Sequence, residues 1–168
     1  MAEVFLRRLT RWQAEQQRGT VADVYVECHG ADRAGFLARF ERHVQERDFD
    51  MVSADSAAGL VGCLYGFRPE PGGELFESVR GVLPAEAAGA AAMGRLFLLV
   101  ELMVRGGRRR EGVATRMRDL LLARHGVDVV VGVMGNGGSY EVLRAWSCTK
   151  LGSIGTPPRE AWLFPPHP

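Results

Sequence analysis

Arg95-Leu-Phe-Leu-Leu-Val-Glu-Leu-Met-Val104 reads as a buried strand, and it runs directly into Arg105-Gly-Gly-Arg-Arg-Arg-Glu-Gly-Val-Ala114. Thr115-Arg-Met-Arg-Asp-Leu-Leu-Leu-Ala-Arg-His125 follows with helical spacing of its leucines and methionine. A glycine-punctuated loop between a buried strand and a helix start leaves several backbone N–H groups without intrahelical partners. They converge where the helix dipole favours an anion. The ligand class implied is a diphosphate-bearing cofactor.

Length and composition set the frame around this segment. The chain has 168 residues, enough for one domain with an ordinary core, and we read residues 1–168 as a single domain. Apolar residues make up 46%, charged residues 24%, and the net charge is +1, which excludes an acidic disordered tail and an overall polyanion binder. The three cysteines, Cys28, Cys63 and Cys148, lack CxxC spacing and are odd in number, which fits a reducing cytoplasm better than a disulfide scaffold or zinc site. Two arginines interrupt the first apolar patch and no small-residue cleavage site follows, so no secretion signal is expected. No apolar stretch reaches the length of a membrane span. These features predict a cytoplasmic location, with no membrane partner.

Working outward from the central segment, residues 4–9 form a candidate first strand. Val21, Val24, Tyr25 and Cys28 repeat at helical spacing within 12–29, although Gly19 weakens that helix. Asp32 is placed to cap a second helix whose buried stripe is Phe36, Leu37, Phe40 and Val44. Residues 49–53 and 60–67 read as a hairpin around Ser56-Ala-Ala-Gly59. The segment 68–94, rich in Pro, Gly and Ala, has room for one or two short helices and reads equally as a substrate wall or a surface loop. A helix over 112–125 ends at Gly126, a strand covers 127–134, and a helix runs from the loop 135–138 through Trp146. Residues 151–155 and 162–164 supply two closing strands.

Arg109-Arg-Glu-Gly112-Val-Ala114 resembles the Arg/Gln-x-x-Gly-x-Gly/Ala cofactor motif of the GNAT superfamily of N-acetyltransferases, and Glu101-Leu-Met-Val104 resembles its acidic-Leu-x-Val strand ending. Two positions depart from the family pattern: Arg110 stands where a second glycine is common, and Gly106-Gly107 replace a proline-containing turn. The order of elements is similar to that fold along almost the whole chain. The resemblance implies an α/β (α+β) GNAT fold, a mixed and mostly antiparallel central sheet of six to seven strands flanked by helices. It implies acetyl-CoA (coenzyme A) as cofactor. The implied cofactor-binding residues are Leu102, Met103 and Val104 through their backbones and Arg109, Arg110, Glu111, Gly112, Val113, Ala114 and Thr115 at the pyrophosphate. Asn136 is added from the following loop.

Glu101 interrupts an otherwise apolar run, and strict alternation places it on the face of Phe97, Leu99 and Met103. A carboxylate there must reach water, a partner or a cavity. It reads either as a strand-end residue in solvent or as a cleft carboxylate that takes a proton from an incoming ammonium. In the family a tyrosine four residues before a glycine protonates the departing thiolate. Aligned on Lys150-Leu-Gly152, that position is Cys148, which reads as a thiol donor or as a buried, inert cysteine. Tyr140 takes the place only if the helix register differs. The basic run 105–110 lacks the interleaved aromatics of a nucleic-acid patch. The four histidines show no metal spacing, so no metal is expected.

The expectation is therefore an enzyme that moves an acetyl group from acetyl-CoA to an amine, with a small-molecule amine as acceptor and a monomer or homodimer as the assembly. The alternative is a non-catalytic GNAT-like module that binds coenzyme A or acyl-CoA.

Overall fold

The computed structural model describes residues 3–30, 32–109, 111–135 and 137–166. Seven strands form one sheet, with β1 Phe5–Leu9, β2 Asp50–Ser56, β3 Gly59–Phe67, β4 Leu96–Val104, β5 Val129–Met134, β6 Thr149–Ile154 and β7 Arg159–Leu163. Their spatial order is β1-β2-β3-β4-β5-β7-β6, and of the neighbouring pairs only β4 and β5 run parallel. This is the mixed, mostly antiparallel sheet expected. Covered by helices on both faces, β4 is buried along nearly its whole length, which is why it reads as a continuous apolar run rather than an alternating one.

Five helices precede β4: α1 Arg11–Gln16, α2 Arg18–His29, α3 Arg33–Val44, α4 Glu74–Arg80 and α5 Ala85–Ala92. They supply one apolar layer, in which Val21, Val24, Phe36, Phe40 and Ala91 pack against Met51, Cys63, Tyr65, Leu98 and Val133 of the sheet. The other face is covered by α6 Val113–Leu122 and α7 Gly137–Ala145, whose Val113, Met117, Leu121 and Leu143 meet Val52, Leu64, Phe97 and Leu99. No helix of the described residues is long and apolar enough to cross a membrane.

Several boundaries differ from the sequence reading. The single helix expected over 12–29 is two, because Gln17 leaves helical geometry at φ −98°, ψ 6° and the ladder restarts at Arg18. A capping box between Thr10 and Gln13 starts the first of them. Asp32 caps α3 as expected, accepting from the Gly35 amide at 3.0 Å. Residues 68–94 hold two short helices, α4 and α5, both outside the sheet. Strand β5 begins at Val129 rather than at 127, since Val127 is 77% exposed and Asp128 is drawn into a charge cluster.

That cluster ties the sheet edge to the end of α6. Asp50 on β2 binds Arg8 of β1 at 2.6 Å and His125 at 3.0 Å, while His125 meets Asp128 at 2.8 Å and Asp128 takes Arg68 at 2.8 Å. His125 also stacks on Phe97, with ring centroids 3.8 Å apart. The cluster links five side chains from four separate parts of the chain.

One local feature of β4 positions everything that follows. Tyr65 pairs with Glu101 but Gly66 pairs with Leu99, so Val100 is an extra residue, a β-bulge. The bulge reverses the alternation. Glu101 consequently faces α2 and α3, on the side of Leu98 and Met103, and not the side of Phe97 and Leu99 that strict alternation predicts. Glycine is required opposite, because a Cβ at Gly66 would run into the Leu98 carbonyl oxygen.

Candidate active site

Strands β4 and β5 part company beyond Leu99 and Gly132, where their pairing ends. Arg105 donates its amide to the Val61 carbonyl at 2.8 Å. By the alternation of an antiparallel ladder, the amides of Met103 and Glu101 therefore also face β3. Those of Leu102 and Val104 face the gap that β5 has vacated. On that side the Val104 carbonyl accepts from Cys28 Sγ at 3.3 Å and Arg109 Nε at 3.2 Å.

A cavity of about 620 Å³ fills this gap. It runs from the N-terminus of α6 along β4 to Cys28 and His29 at the end of α2, with Ser139 and Val142 of α7 and Trp146 just beyond it as its far wall. Leu102, Met103, Val104, Arg109, Gly112, Val113, Ala114 and Thr115 all line it, so one cavity gathers eight of the expected cofactor-binding residues. Glu111 is not among its lining residues and pairs with Arg108 at 2.8 Å. Arg110 and Asn136 lie outside the described residues.

At the cavity mouth Gly112 has φ 76°, in the left-handed region, and precedes the first turn of α6. A Cβ at Gly112 would meet nothing within 4 Å, so the space above it is open. Among the described residues nothing accepts from the amides of Gly112, Val113, Ala114 or Thr115; the first bond of the helix runs from Arg116 to the Gly112 carbonyl at 3.0 Å. The Thr115 hydroxyl accepts from Trp146 Nε1 at 3.2 Å, which leaves its proton to donate. Bare, convergent amides at a helix start fit a diphosphate.

Glu101 lies behind this cavity, on the opposite face of the sheet, and is 2% exposed. Its carboxylate oxygens are 3.6 Å from His29 Nε2 and 3.6 Å from Arg39 Nη2. Burial raises its pKa to about 7, against the opposing charges of Arg39 and Arg159. Burial lowers the pKa of His29. His29 connects the two halves of the site, since it touches both the cavity and Glu101.

Cys148 is a buried member of the core beneath α7 and is absent from the cavity lining. Burial pushes its thiol up to about 12. Helix α7 ends in a left-handed residue at Ser147, φ 63°, the conformation that usually calls for glycine. If this turn, rather than Gly152, marks the glycine of the family pattern, the tyrosine position becomes Leu143, which is fully buried. Tyr140 donates to the Met134 carbonyl at 3.4 Å and packs near Trp162, outside the cavity lining.

Sequence reasoning missed Cys28, His29, Arg39 and Arg159. His29 carried one signal, a histidine in the last turn of a helix immediately before Gly30. Arg39 gave none, since it sits between Phe36 and Phe40 of the buried stripe and reads as an ordinary exposed helix position.

No family model and no curated protein matches the chain. Solved structures do. The chain is similar to a Corynebacterium glutamicum structure described as histone acetyltransferase HPA2 and related acetyltransferase, at 18% identity and TM-score 0.61 over 99% of this chain and 97% of that one. It is similar to diaminobutyrate acetyltransferase EctA from Paenibacillus lautus, solved with L-2,4-diaminobutyric acid and coenzyme A, at 15% identity and TM-score 0.57 over 99% and 97%. It is similar to the PaiA N-acetyltransferase of Thermoplasma acidophilum, solved with coenzyme A, at 8% identity and TM-score 0.59 over 96% and 98%. The chain has the fold of the GNAT N-acetyltransferases.

Proposed function

We propose that the protein is an acetyl-CoA-dependent N-acetyltransferase acting by direct transfer to an amine, with a small molecule as acceptor. One observation carries this reading. The cavity between the parted strands joins bare amides at the α6 N-terminus to the main chain of Leu102 and Val104, the two kinds of group that a diphosphate and an extended amide-bearing arm require. Neighbours of the same fold that were solved with coenzyme A support it.

In this reading Gly112, Val113, Ala114 and Thr115 bind the pyrophosphate through their amides, assisted by Arg109. The Val104 amide donates to the thioester carbonyl oxygen, where negative charge builds as the amine attacks. Glu101, approached from the α2 and α3 side, takes the proton of the acceptor ammonium. Burial sets its pKa where a base works at neutral pH. His29 lines the cavity and flanks the carboxylate. Cys148 has no part in proton transfer here, because its thiol is both too weak an acid and outside the cavity lining.

The absence of a tyrosine at either candidate position favours one second reading, a module that binds coenzyme A without transferring from it. Two measurements separate these. Acetyl-CoA at about 100 times its dissociation constant stabilises a binder by about 2.7 kcal/mol, seen as a rise in melting temperature. Thiol release from acetyl-CoA across a panel of amines then identifies a transferase. No melting shift at saturating acetyl-CoA sinks both readings.

A further inference from the structure

On the α2 and α3 side of the sheet, Glu101 is surrounded by more positive charge than one carboxylate needs. Arg39 lies 3.6 Å away with its guanidinium stacked 5.5 Å over Tyr25 and 5.4 Å over Phe36. Its Nε is buried and unpartnered, while the side chain as a whole keeps 22% of its surface. Arg159 comes from the opposite side, at the start of β7. It shares a face with Ala161, which packs in the α2 and α3 layer, and its chain passes over Gly135 at the end of β5. Its charge acts on Glu101, on the Tyr65 hydroxyl and on His43. The Arg159 guanidinium forms no hydrogen bond or ion pair with a described residue.

Arg39 forms an ion pair with Glu101, but not a close one. At 3.6 Å the contact is longer than a hydrogen bond, and no bidentate fork forms. Two guanidinium groups against one carboxylate leave a net positive charge wherever an acceptor must bring its amine. A plain alkylammonium meets repulsion there. An acceptor that also carries an anion meets Glu101 with its nitrogen and unsatisfied guanidinium donors with its anion.

We infer that the acceptor is an amino carboxylate, whose carboxylate is held by Arg39 and Arg159 while its amine faces Glu101. This rests on the transferase reading and names the acceptor class of the same site. It assigns Arg39 and Arg159 as residues that determine specificity.

The test compares acceptors matched except for the carboxylate: glycine with methylamine, γ-aminobutyrate with butylamine, lysine with cadaverine, each followed by thiol release from acetyl-CoA with the full chain. For at least one pair the carboxylated member should be favoured by about tenfold or more in kcat/KM. Arg39→Gln and Arg159→Gln should each cut that preference about tenfold, mainly through KM of the carboxylated member, and Arg159→Lys should retain much of it. Butyrate, which lacks the amine, should compete with the acceptor and not with acetyl-CoA. If either variant fails to fold, the wild-type panel and the butyrate competition decide alone. Equal or better use of the amines that lack the carboxylate overturns the inference, as does an equal loss for both members of each pair in the variants. A preference for aminopropylphosphonate over γ-aminobutyrate replaces the carboxylate with a phosphonate-like anion and overturns it too. A melting shift with acetyl-CoA but no thiol release with any amine overturns the transferase reading itself, and the inference with it.

Discussion

Oε1 of Glu101 stands 3.6 Å from Nε2 of His29, and both groups are largely withdrawn from water on the inner side of α2. Neither donates to the other across that gap, and the carboxylate pKa of about 7 places its ionisation within the working range. The rate should follow the ionised fraction. We expect kcat to fall as pH drops below about 7, approaching tenfold per unit. Glu101→Gln should remove that acidic limb and lower kcat by roughly 10²-fold or more, with the affinity for acetyl-CoA largely kept. An unchanged pH profile in Glu101→Gln removes Glu101 from proton transfer.

The same carboxylate has a consequence for stability. Its folded pKa is raised above the ordinary carboxylate value, so the protonated acid fits the fold better than the anion does. That contribution is fully present below about pH 4, the unfolded value, and is lost as pH rises through about 7. Glu101→Gln should therefore be more stable than the parent at pH 8, by on the order of 1–3 kcal/mol, and the difference should vanish near pH 4. Urea unfolding at the two pH values measures it.

Gly112→Trp should abolish the melting shift with acetyl-CoA. Position 112 has φ 76°, and a side chain there projects into open space above the bare amides. Gly112→Ala isolates the backbone part, since a methyl group meets no atom within 4 Å but still strains a left-handed residue by about 1 kcal/mol. Its melting temperature should fall modestly while the shift with acetyl-CoA survives.

Asp50→Asn should destabilise the protein by roughly 3–5 kcal/mol at neutral pH, because it leaves Arg8 and His125 without their shared carboxylate. Although burial opposes it, hydrogen bonds from His125 and Arg8 hold the Asp50 pKa below its ordinary value. A depressed carboxylate stabilises above its unfolded pKa and loses that contribution as pH falls through the folded one. Parent and variant should converge in acid. Equal stability at neutral pH would show that the cluster is dispensable.

Cys148→Ala should leave turnover unchanged and lower stability by about 1–2 kcal/mol, as expected of a small buried side chain beneath α7. A loss of turnover with stability intact would return Cys148 to proton transfer.

Much of the architecture was legible because two periodicities dominate the chain. The leucines of α6 and the apolar run of β4 announce a helix and a buried strand, and the glycine between them marks the open helix start. The break at Gln17 was not legible, since a single residue leaving helical geometry produces no change in apolar spacing. The side of the sheet on which Glu101 lies was misread for a similar reason. A bulge is invisible to alternation, and only the glycine at 66, opposite the extra residue, hints at it. Arg39 and His29 come to Glu101 from two different helices, and no spacing along the chain encodes such a meeting. Counting back from Gly152 points to Cys148, whereas the helix closes at Ser147, a left-handed position without the customary glycine.

Val100 therefore acts as a frame shift written into a strand. Taken into a regular ladder, Val100 would turn Glu101 toward the wall beneath α6 and carry Leu102 into its place on the α2 and α3 side. The amides of Leu102 and Val104 would turn as well, so one unpaired peptide unit orients both the carboxylate and the main chain of the cleft.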